Sequence, residues 1–188
     1  MADSSTAVNY GQGDLRVTYS RGYSRINLVS DGGFEGYRCP DPSITFCFAE
    51  SYADWIGTSL TGGSLDATIF SYAPYARSGK GSGLLGAAGG ADALPGTLSS
   101  IKPLKTIPGK TYLVYFFHNS AYSGPVGERE AFVQVIWNEG VVATIRPGYS
   151  SWVYYGFTVT ARGNDRLAFR GGKAPAWSFI DDVTVLTL

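Results

Sequence analysis

Charge is scarce in this 188-residue sequence: only 16% of the residues are charged, and 15 basic side chains balance 15 acidic ones. A nucleic-acid binder needs a surplus of Lys and Arg to neutralise phosphates, so this balance argues against such a partner. Histidine and methionine occur once each, and cysteine twice. The single His118 cannot complete a zinc site with Cys39 and Cys47, whose spacing is also not that of a CxxC redox pair. No apolar run approaches the roughly 18–20 residues of a membrane span. The opening MADSSTAVNYGQGDL lacks a basic stretch followed by an apolar one. It is read as a cytoplasmic start or as a mature extracellular chain with an added Met, and the extracellular form is expected. Long disorder is not expected, because 14% of the residues are aromatic. No long segment has the 3.6-residue periodicity of an amphipathic helix.

What is abundant is glycine (25), tyrosine (13) and phenylalanine (10), with four tryptophans. That mixture predicts a turn-rich, all-β protein. The first 24 residues read as a peripheral segment, with one short strand at 15–19, and residues 25–188 as a single domain. Strands are predicted at 25–29, 67–72, 111–119, 131–137, 141–146, 152–161, 166–170 and 178–186. Ser30-Asp31-Gly32-Gly33 is a turn after which Phe34 enters the core. Residues 36–64 read as irregular, and 73–97 as a loop rich in Gly and Ala. Asn138-Glu139-Gly140 is a tight hairpin turn. The continuous apolar run at 111–119 predicts a strand buried on both faces. Strands separated by regular turn signals point to a β-sandwich or jelly roll.

Cys39 and Cys47 flank Pro-Asp-Pro-Ser-Ile-Thr-Phe. A disulfide closing so short a loop stabilises by about 2.5 kcal/mol on the chain-entropy model. It is expected here, with two free thiols as the alternative; an oxidised pair and few Lys suit a secreted protein.

Four segments, in order along the chain, carry a family resemblance. They are Asn-Leu-Val-Ser-Asp-Gly-Gly-Phe-Glu at 27–35, Pro-Gly-Lys-Thr-Tyr at 108–112, Trp152 with Tyr155, Phe157 and Val159, and Ile-Asp-Asp-Val-Thr-Val at 180–185. Together they resemble the galactose-binding-like jelly rolls, which include the carbohydrate-binding modules of xylanases and glucanases and related cell-wall proteins. The whole chain is also similar to small fungal proteins. The resemblance implies a single jelly-roll β-sandwich. It further implies a structural Ca²⁺ joining the opening and closing strands, with Glu35 and Asp181 as ligands and Asp182 as a substitute. Asp181 is expected on the same strand face as Val183 and Val185, where a carboxylate needs a partner. The alternative is that these carboxylates accept backbone or Arg hydrogen bonds without metal. The sequence departs from the family pattern at Ser30-Asp31, in the Cys39–Cys47 loop and in the 73–97 insert.

Sugar rings stack on aromatic side chains through their apolar C–H faces while polar groups fix their orientation. The loop aromatics are Trp55, Tyr72, Tyr75, Tyr122, Tyr149, Tyr154 and Trp177; Trp137 and Trp152 fit a core role. Tyr122, Tyr154 and Trp177 are the chosen stacking candidates. His118, Asn119, Gln134 and Arg146 are the hydrogen-bonding candidates, expected to line one concave face. The expected function is non-catalytic, lectin-like binding of a glycan or cell-wall polysaccharide. A structural or interaction sandwich without sugar affinity is the alternative. An enzyme is the weakest reading: Ser120 and Ser123 lie too close to His118 in sequence for a persuasive triad. Glu128 and Glu130, paired with Asp54 or Asp66 as in glycosidases, read more simply as solvated glutamates.

Overall fold

The computed structural model describes residues 26–88, 94–122, 132–172 and 177–188. The peripheral segment and its predicted strand at 15–19 lie outside them, as do Ser123, Glu128 and Glu130. The described residues contain no helix long and apolar enough to cross a membrane.

Among the described residues, twelve strands form two antiparallel six-stranded sheets. They are β1 (Cys47–Ala49), β2 (Ser51–Tyr52), β3 (Trp55–Thr58), β4 (Ala67–Ser71), β5 (Gly81–Leu85), β6 (Gly96–Ser100), β7 (Thr111–Asn119), β8 (Val133–Trp137), β9 (Gly140–Ile145), β10 (Val153–Thr160), β11 (Leu167–Gly171) and β12 (Ser178–Thr187). Sheet A has the order β1-β4-β5-β12-β7-β10 and sheet B the order β2-β3-β6-β11-β8-β9. The inner faces bury one core. Sheet A contributes Ile69, Leu85, Val114, Phe116, Ile180 and Val185, and sheet B contributes Trp55, Leu98, Val135, Leu167 and Phe169. The period-2 geometry of strands makes this possible: in β7, Tyr112, Val114 and Phe116 point inward while Leu113, Tyr115 and Phe117 point outward.

The β8–β9 hairpin follows from its turn. Asn138 and Glu139 both have positive φ, 50° and 69°, as a two-residue loop that matches strand twist requires. The Asn138 side chain reinforces it, donating to Asp165 and accepting from the Arg166 amide.

Several predicted elements are corrected. Residues 25–29 do not form a ladder strand over the described positions 26–29. Instead Asn27 acts as a backbone surrogate: its Oδ1 accepts the amides of Val29 and Val185, and its Nδ2 donates to the Val183 carbonyl. The irregular stretch 36–64 contains β1, β2 and β3, and the glycine-rich stretch 73–97 contains β5 and the start of β6. Glycine serves packing in β5. A Cβ on Gly81 would lie 2.2 Å from the Phe34 carbonyl oxygen, because Phe34 crosses directly over the strand. Trp55, expected in a loop, begins β3 and is buried, its Nε1 donating to the Asp31 carbonyl.

The last strand carries a bulge. Its register against β7 shifts between Asp181 and Thr184, and Asp182 has φ 51°. One extra residue reverses the side-chain parity. Val183 and Val185 therefore face the core, whereas Asp181 pairs with the outward Phe117. The expectation that Asp181 shares a face with the two valines is corrected by this bulge.

Candidate functional site

The outer face of sheet A is aromatic rather than polar. Phe70 on β4, Leu84 on β5 and Phe179 on β12 form a buried floor. Above that floor runs a row of four rings. Phe46 meets Tyr72 with centroids 5.9 Å apart, Tyr72 meets Tyr75 at 5.2 Å, and Tyr75 stacks on Tyr122 at 4.0 Å. The row rests on the floor through Phe46–Phe70, Tyr75–Phe179 and Tyr122–Phe179 contacts. Such a double layer forms because β4, β5 and β12 leave apolar side chains on their outer face, which must be covered. Tyr72 caps and Tyr75 ends a short 3-10 turn, Ala73–Tyr75, with Pro74 at its centre. That turn lays the segment back across the sheet. Tyr122 holds it there by donating to the Pro74 carbonyl at 2.8 Å. Partial burial pushes the Tyr122 hydroxyl above its ordinary pKa. Trp152 and Trp177 are half-buried against the same cluster; Trp152 thus belongs to the outer layer and not to the central core predicted for it. Trp137 is in the core as predicted.

A second aromatic patch lies on the same face over β7 and β10. Tyr154 packs against Tyr115 and Phe117. The Arg77 guanidinium sits 3.5 Å above the Phe117 ring. Stacking candidates Tyr122, Tyr154 and Trp177 therefore share one face, and Phe46, which sequence reasoning passed over, extends it.

Of the polar candidates only Asn119, paired with Phe179 of the floor, lies on this face. His118 faces inward and is 0% exposed, with its ring against Tyr155. Its nitrogens have no hydrogen-bond partner among the described residues. Burial drives its pKa down to about 3, so the imidazole is neutral. Asn119 is buried and its Oδ1 accepts the Ala121 amide. Gln134 lies between Arg170 and Thr144 on sheet B, and Arg146 follows the end of β9 on that same sheet. These four were expected to line one face. The register separates them, because consecutive residues of β7 point to opposite faces and Gln134 belongs to the other sheet. Among the described residues no hydroxyl reaches His118, and the Ser120 hydroxyl donates to the Gly148 carbonyl.

The acidic candidates gather under the 77–81 turn. Asp181 Oδ2 accepts the amides of Arg77 and Ser78, and its Oδ1 accepts the Asp182 amide. Asp182 pairs with the Arg77 guanidinium and accepts the Ser78 hydroxyl. Glu35 Oε1 accepts the amides of Lys80 and Gly81. Burial pushes the Asp181 carboxyl up to about 7. Hard carboxylate oxygens suit Ca²⁺, but the ion needs six to eight oxygens around one point. Among the described residues no three acidic, His or Cys side chains converge in that way. In this arrangement the carboxylates serve N–H and guanidinium donors and do not fit a calcium ligand set.

A cleft of about 260 Å³ lies elsewhere, beside Asn27, Trp55, Ser100 and Leu104. Its rim holds Asp54, which accepts the Ser30 hydroxyl at 2.6 Å and pairs with Lys102 at 2.9 Å. The Lys102 and Ser30 hydrogen bonds hold the Asp54 carboxyl below its ordinary pKa. Asp54 and Trp55, the acid/base and loop-aromatic candidates named above, line this cleft, whereas the chosen stacking and hydrogen-bonding candidates do not. Cys39 and Cys47 are disulfide-bonded, as predicted, with Cα atoms 5.5 Å apart.

No family profile matches the chain, and no curated protein matches it in sequence. Solved structures do match in shape. TmCBM61, a carbohydrate-binding module seen in complex with β-1,4-galactotriose, is 15% identical; the match covers 87% of this chain and 99% of that one, with a TM-score of 0.53. The K1 cleaved adhesin domain of Lys-gingipain from Porphyromonas gingivalis is 12% identical, with 75% of this chain and 97% of that one covered and a TM-score of 0.52. The enzymatically active domain of bacteriophage CBA120 tailspike protein 4 is 13% identical with a TM-score of 0.55; the match covers 87% of this chain and 22% of that one. At such identities the likeness establishes the fold, an all-β jelly-roll sandwich like that of the carbohydrate-binding module.

Proposed function

We propose that this protein binds a glycan chain without catalysis, on the outer face of sheet A. The observation that carries the reading is the unbroken row Phe46–Tyr72–Tyr75–Tyr122 over a buried aromatic floor. An aromatic surface left half-exposed by a protein with ample core is costly unless it meets a ligand. Pyranose rings offer flat C–H faces to such rings, and their hydroxyls remain free for the polar rim. Tyr154 and the Arg77 guanidinium over Phe117 supply donors beside the row. The zero net charge supports a neutral polysaccharide, whose binding changes little with salt. The disulfide suits an oxidising, extracellular setting. A shallow face buries little area, so the affinity for a single sugar is weak.

The test is affinity electrophoresis through gels containing neutral polysaccharides: β-1,4-galactan, xylan, β-mannan and β-glucan, each at low and high salt. Retardation by at least one of them, unchanged by salt, is expected. Free migration in all four would favour a structural or interaction sandwich instead.

A further inference from the structure

The disulfide loop contributes more to this face than its own stability. Cys47 is the first residue of β1, a three-residue strand that among the described residues pairs with β4 alone. Phe46 and Phe48 flank that cysteine, and both rings contact Phe70. Within the loop, Asp41 accepts the Ser43 amide and hydroxyl through its carboxylate and the Ile44 amide through its carbonyl. Tyr37 donates to the Phe48 carbonyl at 3.1 Å. The loop is thus closed by a covalent bond, locked inside by a turn and pinned at its far end. For all that, Phe46 is 52% exposed, the most exposed phenylalanine or tryptophan ring among the described residues. A rigid loop that holds a large apolar ring in solvent is hard to explain by folding alone.

We infer that the Cys39–Cys47 loop sets the length of glycan that the face prefers, with Phe46 as the terminal stacking position, held in place by the disulfide. The inference rests on the glycan-binding reading. Phe46, just before β1, and Tyr122, just after β7, are the two ends of the ring row. Centroid steps of 5.9, 5.2 and 4.0 Å carry the row from one to the other, the reach of a short oligosaccharide and not of one sugar. A chain too short to reach from Tyr122 to Phe46 gains nothing from Phe46, whereas a longer one does. Chain length is therefore the readout that separates a ligand contact from a structural role.

Titration calorimetry against galacto-, xylo-, manno- and gluco-oligosaccharide ladders from disaccharide to hexasaccharide tests this. The wild-type protein should bind the longer members of one ladder better than the shorter ones. Phe46→Ala should lose roughly tenfold in affinity for the hexasaccharide, about the value of one aromatic stacking contact, and little for the disaccharide. Phe46→Trp should restore the preference. Cys39→Ser/Cys47→Ser should flatten the length dependence in the same way; if that double variant fails to fold, the Phe46 pair decides alone. A length preference that survives Phe46→Ala overturns the inference and leaves the glycan reading standing. A wild-type protein that binds no ladder overturns both.

Discussion

Tyr75 and Tyr122 stack nearly parallel, with planes 13° apart and centroids 4.0 Å from each other, although 47 residues separate them in the chain. The contact joins the 73–75 turn to the end of β7 and completes the ring row. Tyr122→Ala should weaken binding of the retarding polysaccharide by about 1–3 kcal/mol, the worth of one aromatic side chain. Tyr122→Phe, which keeps the ring and loses the hydroxyl's bonds to Pro74 and Trp152, should bind with less than half that loss. Quantitative affinity electrophoresis measures both. Equal losses would assign the effect to the hydroxyl.

Two buried groups give opposed pH dependences. His118 is depressed from its ordinary value to about 3. Its contribution is present above the unfolded pKa near 6.5 and is lost as pH falls towards 3. Asp181 is raised to about 7. Its folded form holds a proton that the unfolded chain has lost, so stability falls as pH rises from about 4 to 7. Between about pH 4 and 6.5 the two slopes oppose each other. Urea denaturation across that window should show a shallow profile for the wild type. His118→Leu should unmask a stability that falls as pH rises, and Asp181→Asn one that falls as pH drops. Parallel profiles for all three proteins would contradict this assignment.

The engaged carboxylates bear on calcium. With Glu35, Asp181 and Asp182 already accepting amide, hydroxyl and guanidinium donors, chelation is expected to leave the melting temperature unchanged. A fall of several degrees in EDTA, abolished by Glu35→Ala, would instead mean that a cation takes over these oxygens.

Reduction of Cys39–Cys47 removes a short-loop constraint worth about 2.5 kcal/mol. For a domain of this size that corresponds to a fall of roughly 5–10 °C in melting temperature. Scanning calorimetry with and without reductant checks it.

Gly32 has no room for a side chain, because a Cβ there would stand 2.0 Å from the Val183 carbonyl oxygen. That carbonyl belongs to backbone and cannot turn aside. Gly32→Ala should cost about 3 kcal/mol or more in chemical denaturation.

Much of the fold can be read from the residues, and particular residues show where reading stops. The apolar run at 111–119 and the Asn138-Glu139 turn announce β7 and the β8–β9 hairpin, because local pattern and turn chemistry agree there. β5 is hidden because its glycines answer to Phe34, a residue some 50 positions earlier that must cross the strand. The inventory of stacking rings is largely visible as composition. Their grouping is not, since it depends on parity. His118 and Asn119 lie side by side in sequence yet face opposite ways, and the bulge at Asp181–Thr184 reverses the faces of β12 without any sequence signature of its own. Phe46 escapes notice because only the pairing of Cys47 with Ser71 brings it beside Tyr72.

The surrogate pairing by Asn27 also has a consequence for architecture. Leu28, among the first described residues, donates its amide to Val185 of β12. The opening and closing segments of the described sandwich are thus neighbours, the arrangement that lets a domain be spliced into a loop of a larger host or hung from a flexible tether. Copies carried in tandem would then place several weak faces within reach of one polymer. Retention on a surface would come from their number, and each single face could let go quickly enough to move along it.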